Sequence, residues 1–331
     1  MENLPLDTSH PAVRDYLTLV RLQVLTPLSL LINIATVMVC ALITSPTIGG
    51  LIRQKPTAIS PNPAILAVYV AVLFLGQIGY CVILVLASKQ ETKRTLTKGV
   101  GMSLVAANFI MALWAIVWIM KWFIAASILQ GLLLLFLLYS SLALYVYHPA
   151  TSERPLDTMF IHAPIRFFVT LVLLALFPYC LFVALGLIHE PTAPGEYLSW
   201  HTWAGFGIVA GTNLLALLVV VTQLDIVWCI GATWVCISMW AQKPKPTPVY
   251  ATTIACTILH PLALLLALAY VYYDQSPRRG RIALPPDREH YSNQASGGRA
   301  IGHVGPSAEE EGMGGIQATG PQEIDPNTTW G

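Results

Sequence analysis

From Val24 to Tyr273 the chain is a succession of long apolar runs separated by short polar breaks. A helix of a water-soluble protein carries one apolar stripe. Segments such as Ala64 to Ala87 and Leu132 to Leu144 are instead apolar on nearly every side, the pattern that lipid demands. Only 11% of the residues are charged and 55% are hydrophobic, against roughly 25% charged in soluble domains. The expected fold is therefore all-α, a polytopic transmembrane helical bundle whose main partner is membrane lipid. A formal net charge of +1 leaves no basic footprint for nucleic acid, which is excluded as a partner.

A helix rising 1.5 Å per residue needs about 20 apolar residues to cross about 30 Å of hydrocarbon. Eight segments meet or approach this: Val24 to Ile43, Ala64 to Ala87, Val100 to Met120, Phe123 to Val146, Phe167 to Leu187, Ala204 to Leu224, Ile226 to Ala241 and Tyr250 to Tyr273. The seventh is the shortest. Lys121 with Trp122, and Gln223 to Asp225, are breaks so tight that each must join an antiparallel helical hairpin.

An even number of spans puts both termini on one side. That side would carry Arg14, Arg21, Lys89, Lys93, Arg94, Lys98, Arg154, Arg166 and the tail arginines from Arg278, whereas the other has only Arg53, Lys55, Lys121, Lys243 and Lys245. The excess of basic residues predicts cytoplasmic termini. Glu2 and Asp7 in an N-terminus without an early apolar stretch argue against a cleaved signal peptide. The organisation expected is a cytoplasmic segment over 1–23, a membrane domain over 24–273 and a disordered cytoplasmic tail over 274–331. The tail is rich in Pro, Gly and Ser, with an acidic triplet at Glu309 to Glu311. The sequon at Asn327 would stay unused on that side.

No Asp, Glu, Lys or Arg falls near the centre of a span, which weighs against ion-coupled transport. The uncharged polar groups at depth are Asn33, Gln77, Asn108, Gln130, Asn213 and His260, each of which must find a partner across a helix interface. His260 precedes Pro261, where a bent helix frees a carbonyl. Gly76 with Gly79, and Gly207 with Gly211, predict close helix packing. All six cysteines lie inside apolar runs without metal-ligand spacing, so no metal is expected.

Trp114, Trp118 and Trp122 recur every four residues and form one aromatic edge along span three. Such an edge can hold a flat hydrophobic molecule. Trp122, Trp200, Trp203 and Trp240 sit at span ends, where interfacial anchoring accounts for them.

Four stretches make the order of features similar to the tryptophan-rich sensory and translocator (TspO/MBR) superfamily, and to its fungal multi-span members in particular. They are Pro61-Asn62-Pro63-Ala64 opening span two, AANFIMALWAIVW from Ala106 to Trp118, HPATSERPLDTMFIHAPIRFF from His148 to Phe168, and DIVWCIGATWVCISMW from Asp225 to Trp240. The resemblance implies a helical bundle with a cavity that takes porphyrins or sterols in some members. Where related chains place Asn three residues before the first tryptophan, this one has Met111, with Asn108 a turn earlier. Trp114 and Trp118 are thus the positions that transfer.

The resulting expectation is a non-enzymatic binding or sensory membrane protein. It would hold a flat hydrophobic ligand through Trp114, Trp118, Asn108, Gln77, Gln130 and His260, with no catalytic residues and no cofactor named by the sequence. The alternative is a carrier or channel for a neutral small solute, with Gln77, Asn108, Gln130 and Asn213 along its path. An interfacial enzyme using His148, His162 or His201 lacks HxxxH or HExxH spacing and a nucleophile partner. A scaffold acting through the tail is the remaining class.

Overall fold

A computed structural model describes residues 11–87, 90–147, 155–189 and 199–279. The expectations about Glu2, Asp7, His148, the tail beyond Arg279 and the Asn327 sequon fall outside the described residues. Among the described residues all regular structure is helical: α1 (Pro11–Leu42), α2 (Ile48–Gln54), α3 (Pro63–Leu86), α4 (Gln90–Arg94), α5 (Gly101–Ile119), α6 (Phe123–Tyr147), α7 (Pro155–Asp157), α8 (Ala163–Leu171), α9 (Phe177–Ala184), α10 (Ser199–Gln223), α11 (Ile226–Trp240) and α12 (Thr247–Arg279). Wider π-helical turns at Thr95–Val100, Thr158–His162 and Val172–Leu176 join α4 to α5, α7 to α8 and α8 to α9.

Seven helical stretches are long and apolar enough to cross a membrane: Tyr16–Leu42, Pro63–Leu86, Glu91–Ile119, Phe123–Tyr147, Thr158–Ala184, Trp200–Gln223 and Thr247–Asp274. Of the eight expected spans, α11 differs. Its 15 residues reach only about 22 Å, short of the roughly 30 Å of hydrocarbon. The stretches Tyr16–Leu42, Glu91–Ile119 and Thr158–Ala184 begin well before the apolar runs do, since a helix continues through polar residues once packing supports it.

Both hairpins form at the tight breaks. Lys121 (φ 63°) and Leu224 (φ 51°) enter the left-handed region there, which reverses the chain in few residues. Asn62 caps α3, its Oδ1 accepting from the Ala64 and Ile65 amides at 3.0 and 3.4 Å, with Pro63 in the first turn, where a missing amide hydrogen costs nothing.

Burial separates the helices by role. In the stretch Thr158–Ala184, 78% of the most apolar window is buried inside the protein, against 11% in Thr247–Asp274. The α8–α9 rod is therefore the bundle's axis, and α12 meets chiefly hydrocarbon. The small residues behave unequally. A Cβ at Gly76 would stand 3.2 Å from Pro164 and one at Gly79 2.3 Å from Phe160, so α3 packs closely onto the α8–α9 rod, whereas a Cβ at Gly207 or Gly211 would meet no other element within 4 Å among the described residues.

A capped apolar cavity as the candidate functional site

The segment between α1 and α3, short and rich in Gly and Pro, has no span of its own. Within it Thr47 caps α2, its hydroxyl accepting from the Gly50 amide at 2.9 Å, and Leu51 and Ile52 bury the inner face of α2. The strap that follows, Lys55 to Asn62, is pinned from several sides. Tyr179 Oη donates to the Lys55 carbonyl (3.1 Å), the His189 amide to the Pro56 carbonyl (2.8 Å) and the Asn62 amide to the Ser238 carbonyl (2.7 Å). Gly205 leaves room for the strap, since a Cβ there would stand 2.8 Å from the Ala58 Cβ.

Lys245, between α11 and α12, donates from Nζ to the carbonyls of Ala58 (3.1 Å) and Ser60 (2.8 Å). The residue as a whole is half-buried, but its ammonium end is enclosed by these carbonyls and has no carboxylate partner among the described residues. Burial pushes its pKa from 10.5 down to about 7. The neutral amine still donates two hydrogen bonds, so the strap is held best when Lys245 is uncharged. The unfolded chain would bind more protons than the folded one between about pH 7 and 10.5. Thermal stability in detergent should therefore rise with pH across that window and fall as pH drops toward 7. Lys245→Met should flatten the rise, whereas an unchanged slope would place the ammonium in water.

Beneath α2 lies an apolar cavity of about 450 Å³ between α1, α3 and α5, within the range of small-molecule sites. Its walls include Val37 and Met38 of α1, Ile48 and Ile52 of α2, Ala67 and Phe74 of α3, Met111 and Trp114 of α5, and Leu176. Arg53, in the last turn of α2, stands at its exposed edge. Met38, Leu42 and Ala67 are exposed on the outer surface, so the cavity opens between α1 and α3 toward hydrocarbon.

The six expected site residues do not converge on it. Trp114 lines the cavity, its Nε1 donating to Cys180 Sγ at 3.3 Å. Trp118 stacks behind it, with ring centroids 6.0 Å apart, and is enclosed by Phe123 and Tyr179 at 5.2 and 5.6 Å. Asn108 accepts from Asn33 at 2.8 Å, a contact that joins α1 to α5. Gln130 reaches Met111 Sδ at 3.8 Å, touching the cavity wall from behind. Gln77 is buried with both amide atoms lacking a partner among the described residues. His260 bonds the Cys256 carbonyl at 2.7 Å within α12, and Asn213 accepts from Cys236 at 3.0 Å between α10 and α11.

Asn108, Gln130 and Asn213 thus serve separate helix pairs, and neither they nor Gln77 line this cavity. Sequence reasoning missed α2, Arg53 and Lys245. The Thr47 capping position ahead of Ile48 was the one local signal for α2. Among the described residues no group of three His, Cys, Asp or Glu side chains could hold a metal ion.

The fold is that of an integral membrane protein, a polytopic helical bundle with a capped apolar cavity on one end. The family model for TSPO-like protein matches residues 23–270, and the chain belongs to that family. No curated protein and no solved structure matches it.

Proposed function

We infer that the protein binds, and through binding senses, a flat hydrophobic molecule of the porphyrin or sterol kind in the cavity beneath α2, without catalysing a reaction on it. The observation that carries this reading is the cavity itself: about 450 Å³, walled by apolar side chains, floored by the Trp114 indole and open sideways to the lipid from which such a ligand would come. Burying a rigid ring system there gains roughly 25 cal/mol per Å² of apolar surface at little cost in ligand entropy. The carrier alternative receives less support, because three of its four amides, Asn108, Gln130 and Asn213, are spent on separate helix contacts and the fourth, Gln77, does not line the cavity. Cytoplasmic termini remain part of the proposal, and they require α11 to cross.

Tryptophan quenching by a porphyrin or sterol analogue tests the binding in purified full-length protein. Wild type should quench saturably. Ala67→Phe, which fills the cavity from its outer wall, should weaken affinity at least tenfold. Trp114→Phe should weaken affinity by removing the indole from the wall, and Trp118→Phe should leave affinity unchanged because that ring stands behind the wall. Equal binding by wild type and Ala67→Phe would end the proposal.

A further inference from the structure

A second apolar depression lies on another face of the bundle, between α1, α5 and α6. It is an open groove of about 600 Å³ bordered by Lys98, Gly101, Ser103, Phe109, Phe136 and Tyr139. Its origin is the π-helical turn Thr95–Val100. The turn ends at Gly101 with φ 47°, a conformation that favours glycine, and a Cβ there would meet nothing within 4 Å. The groove lies against this turn, with Lys98, Val100 and Gly101 in its lining.

Depth and charge define what fits. Ser103 and Ser140 hydrogen-bond each other, so Tyr139 stands level with Ser103, and Phe109 and Phe136 lie deeper. From Lys98 to Phe109 is eleven residues, about 16 Å along a helix, close to the half-thickness of a bilayer core of about 30 Å. The groove therefore runs from the membrane surface to the midplane, the length of one acyl chain in one leaflet.

Its threonine and serine hydroxyls are already engaged: Thr97 donates to the Lys93 carbonyl at 2.8 Å, and Ser103 bonds Ser140 and the Val100 carbonyl. Two rim donors bond nothing among the described residues, the exposed Lys98 ammonium and the Tyr139 phenol. Lys93 and Arg94 stand in the preceding turn, with Glu91 the one carboxylate in that stretch. We propose that this groove binds one anionic glycerophospholipid, its acyl chain against Phe109 and Phe136 and its phosphate on Lys98.

Native mass spectrometry of the full-length protein with equimolar dioleoyl phosphatidylglycerol and dioleoyl phosphatidylcholine tests this. Wild type should retain one phosphatidylglycerol about fivefold in preference, the ratio expected from a single lysine at a membrane surface. Lys98→Ala should bring the ratio near one, and Lys98→Arg should keep it. Ala106→Phe, filling the groove, should lose both lipids, whereas Ala67→Phe in the cavity beneath α2 should lose neither. Retained preference in Lys98→Ala, full occupancy in Ala106→Phe, or displacement of the lipid by inorganic phosphate would overturn the proposal.

Discussion

Asp225→Ala is expected to cost the fold about 3–4 kcal/mol, the largest single-residue loss anticipated in the described residues. The carboxylate does two jobs at once. Oδ1 accepts from the Val227 and Trp228 amides at 2.9 and 3.2 Å, capping α11, and a lost cap is worth roughly 1 kcal/mol. Oδ2 pairs with Arg166 Nη1 at 2.7 Å, with the Asp225 side chain 3% and the Arg166 side chain 18% exposed. Removing the carboxylate leaves a guanidinium with little water and no counter-charge, and this stranding supplies most of the loss. The residual exposure of Arg166 keeps the figure near the low end of the range for broken buried pairs. Asp225→Ser, which can still cap, should lose less than alanine. Adding Arg166→Met to Asp225→Ser should recover part of the remainder, because no charge is then stranded. Unfolding in mixed micelles by titration with dodecyl sulfate measures all three. If the Asp225→Ala loss stayed below about 1 kcal/mol, the range of an exposed pair, the ion pair would have to be solvated.

Gly231→Val is expected to cost about 2–3 kcal/mol, at the upper end for forcing bulk into a packed interior. A Cβ at this position of α11 would stand 2.9 Å from Tyr69 Oη and 3.0 Å from Thr170 Cγ2, before the two further valine methyls are counted. Tyr69 cannot step aside cheaply. Its hydroxyl donates to the Phe167 carbonyl at 2.8 Å, its ring stacks on Phe167 at 3.9 Å, and Trp234 meets its edge at 5.6 Å. The substitution therefore works against α3, α8 and α11 together. Gly207→Val on α10 is the control, since nothing lies within 4 Å of a Cβ there, and its effect should stay within about 1 kcal/mol. The same unfolding titration compares the two variants, and equal losses would mean that the three-helix contact is looser than the distances imply.

These two sites also mark how far the sequence could be read. The spans were legible because lipid imposes one requirement along each whole helix, and the hairpins because two or three polar residues between apolar runs leave no other connection. Asn62 could be read as part of a Pro-Asn-Pro-Ala opening, since capping is a local matter decided within three residues. The Arg166–Asp225 pair was not legible. Its members are 59 positions apart, counted from residue 166 to residue 225, and each alone reads as a charge at the end of a span. The strap under Lys245 hid for the same reason, its acceptors being backbone carbonyls that carry no sequence signature. The helix α2 escaped notice because seven residues containing two glycines have little helical tendency of their own, and packing of Leu51 and Ile52 makes the helix. The cavity depends on that helix, and of the six residues expected Trp114 is in its lining. Trp118 shares its helical face at one turn's spacing, yet Phe123 and Tyr179 enclose it, and periodicity does not distinguish a ring that lines a space from one that backs it.

The central claim is that the space beneath α2 is where a hydrophobic ligand sits, and photolabelling with a diazirine-bearing sterol tests it most directly. In purified full-length protein, label that excess unmodified sterol can displace should map to Val37–Leu42 of α1, to α2 and to Pro63–Phe74 of α3, and Ala67→Phe should abolish it. Displaceable label confined to the lipid-facing surface of α12 or α6, with Ala67→Phe labelled like wild type, would contradict the account.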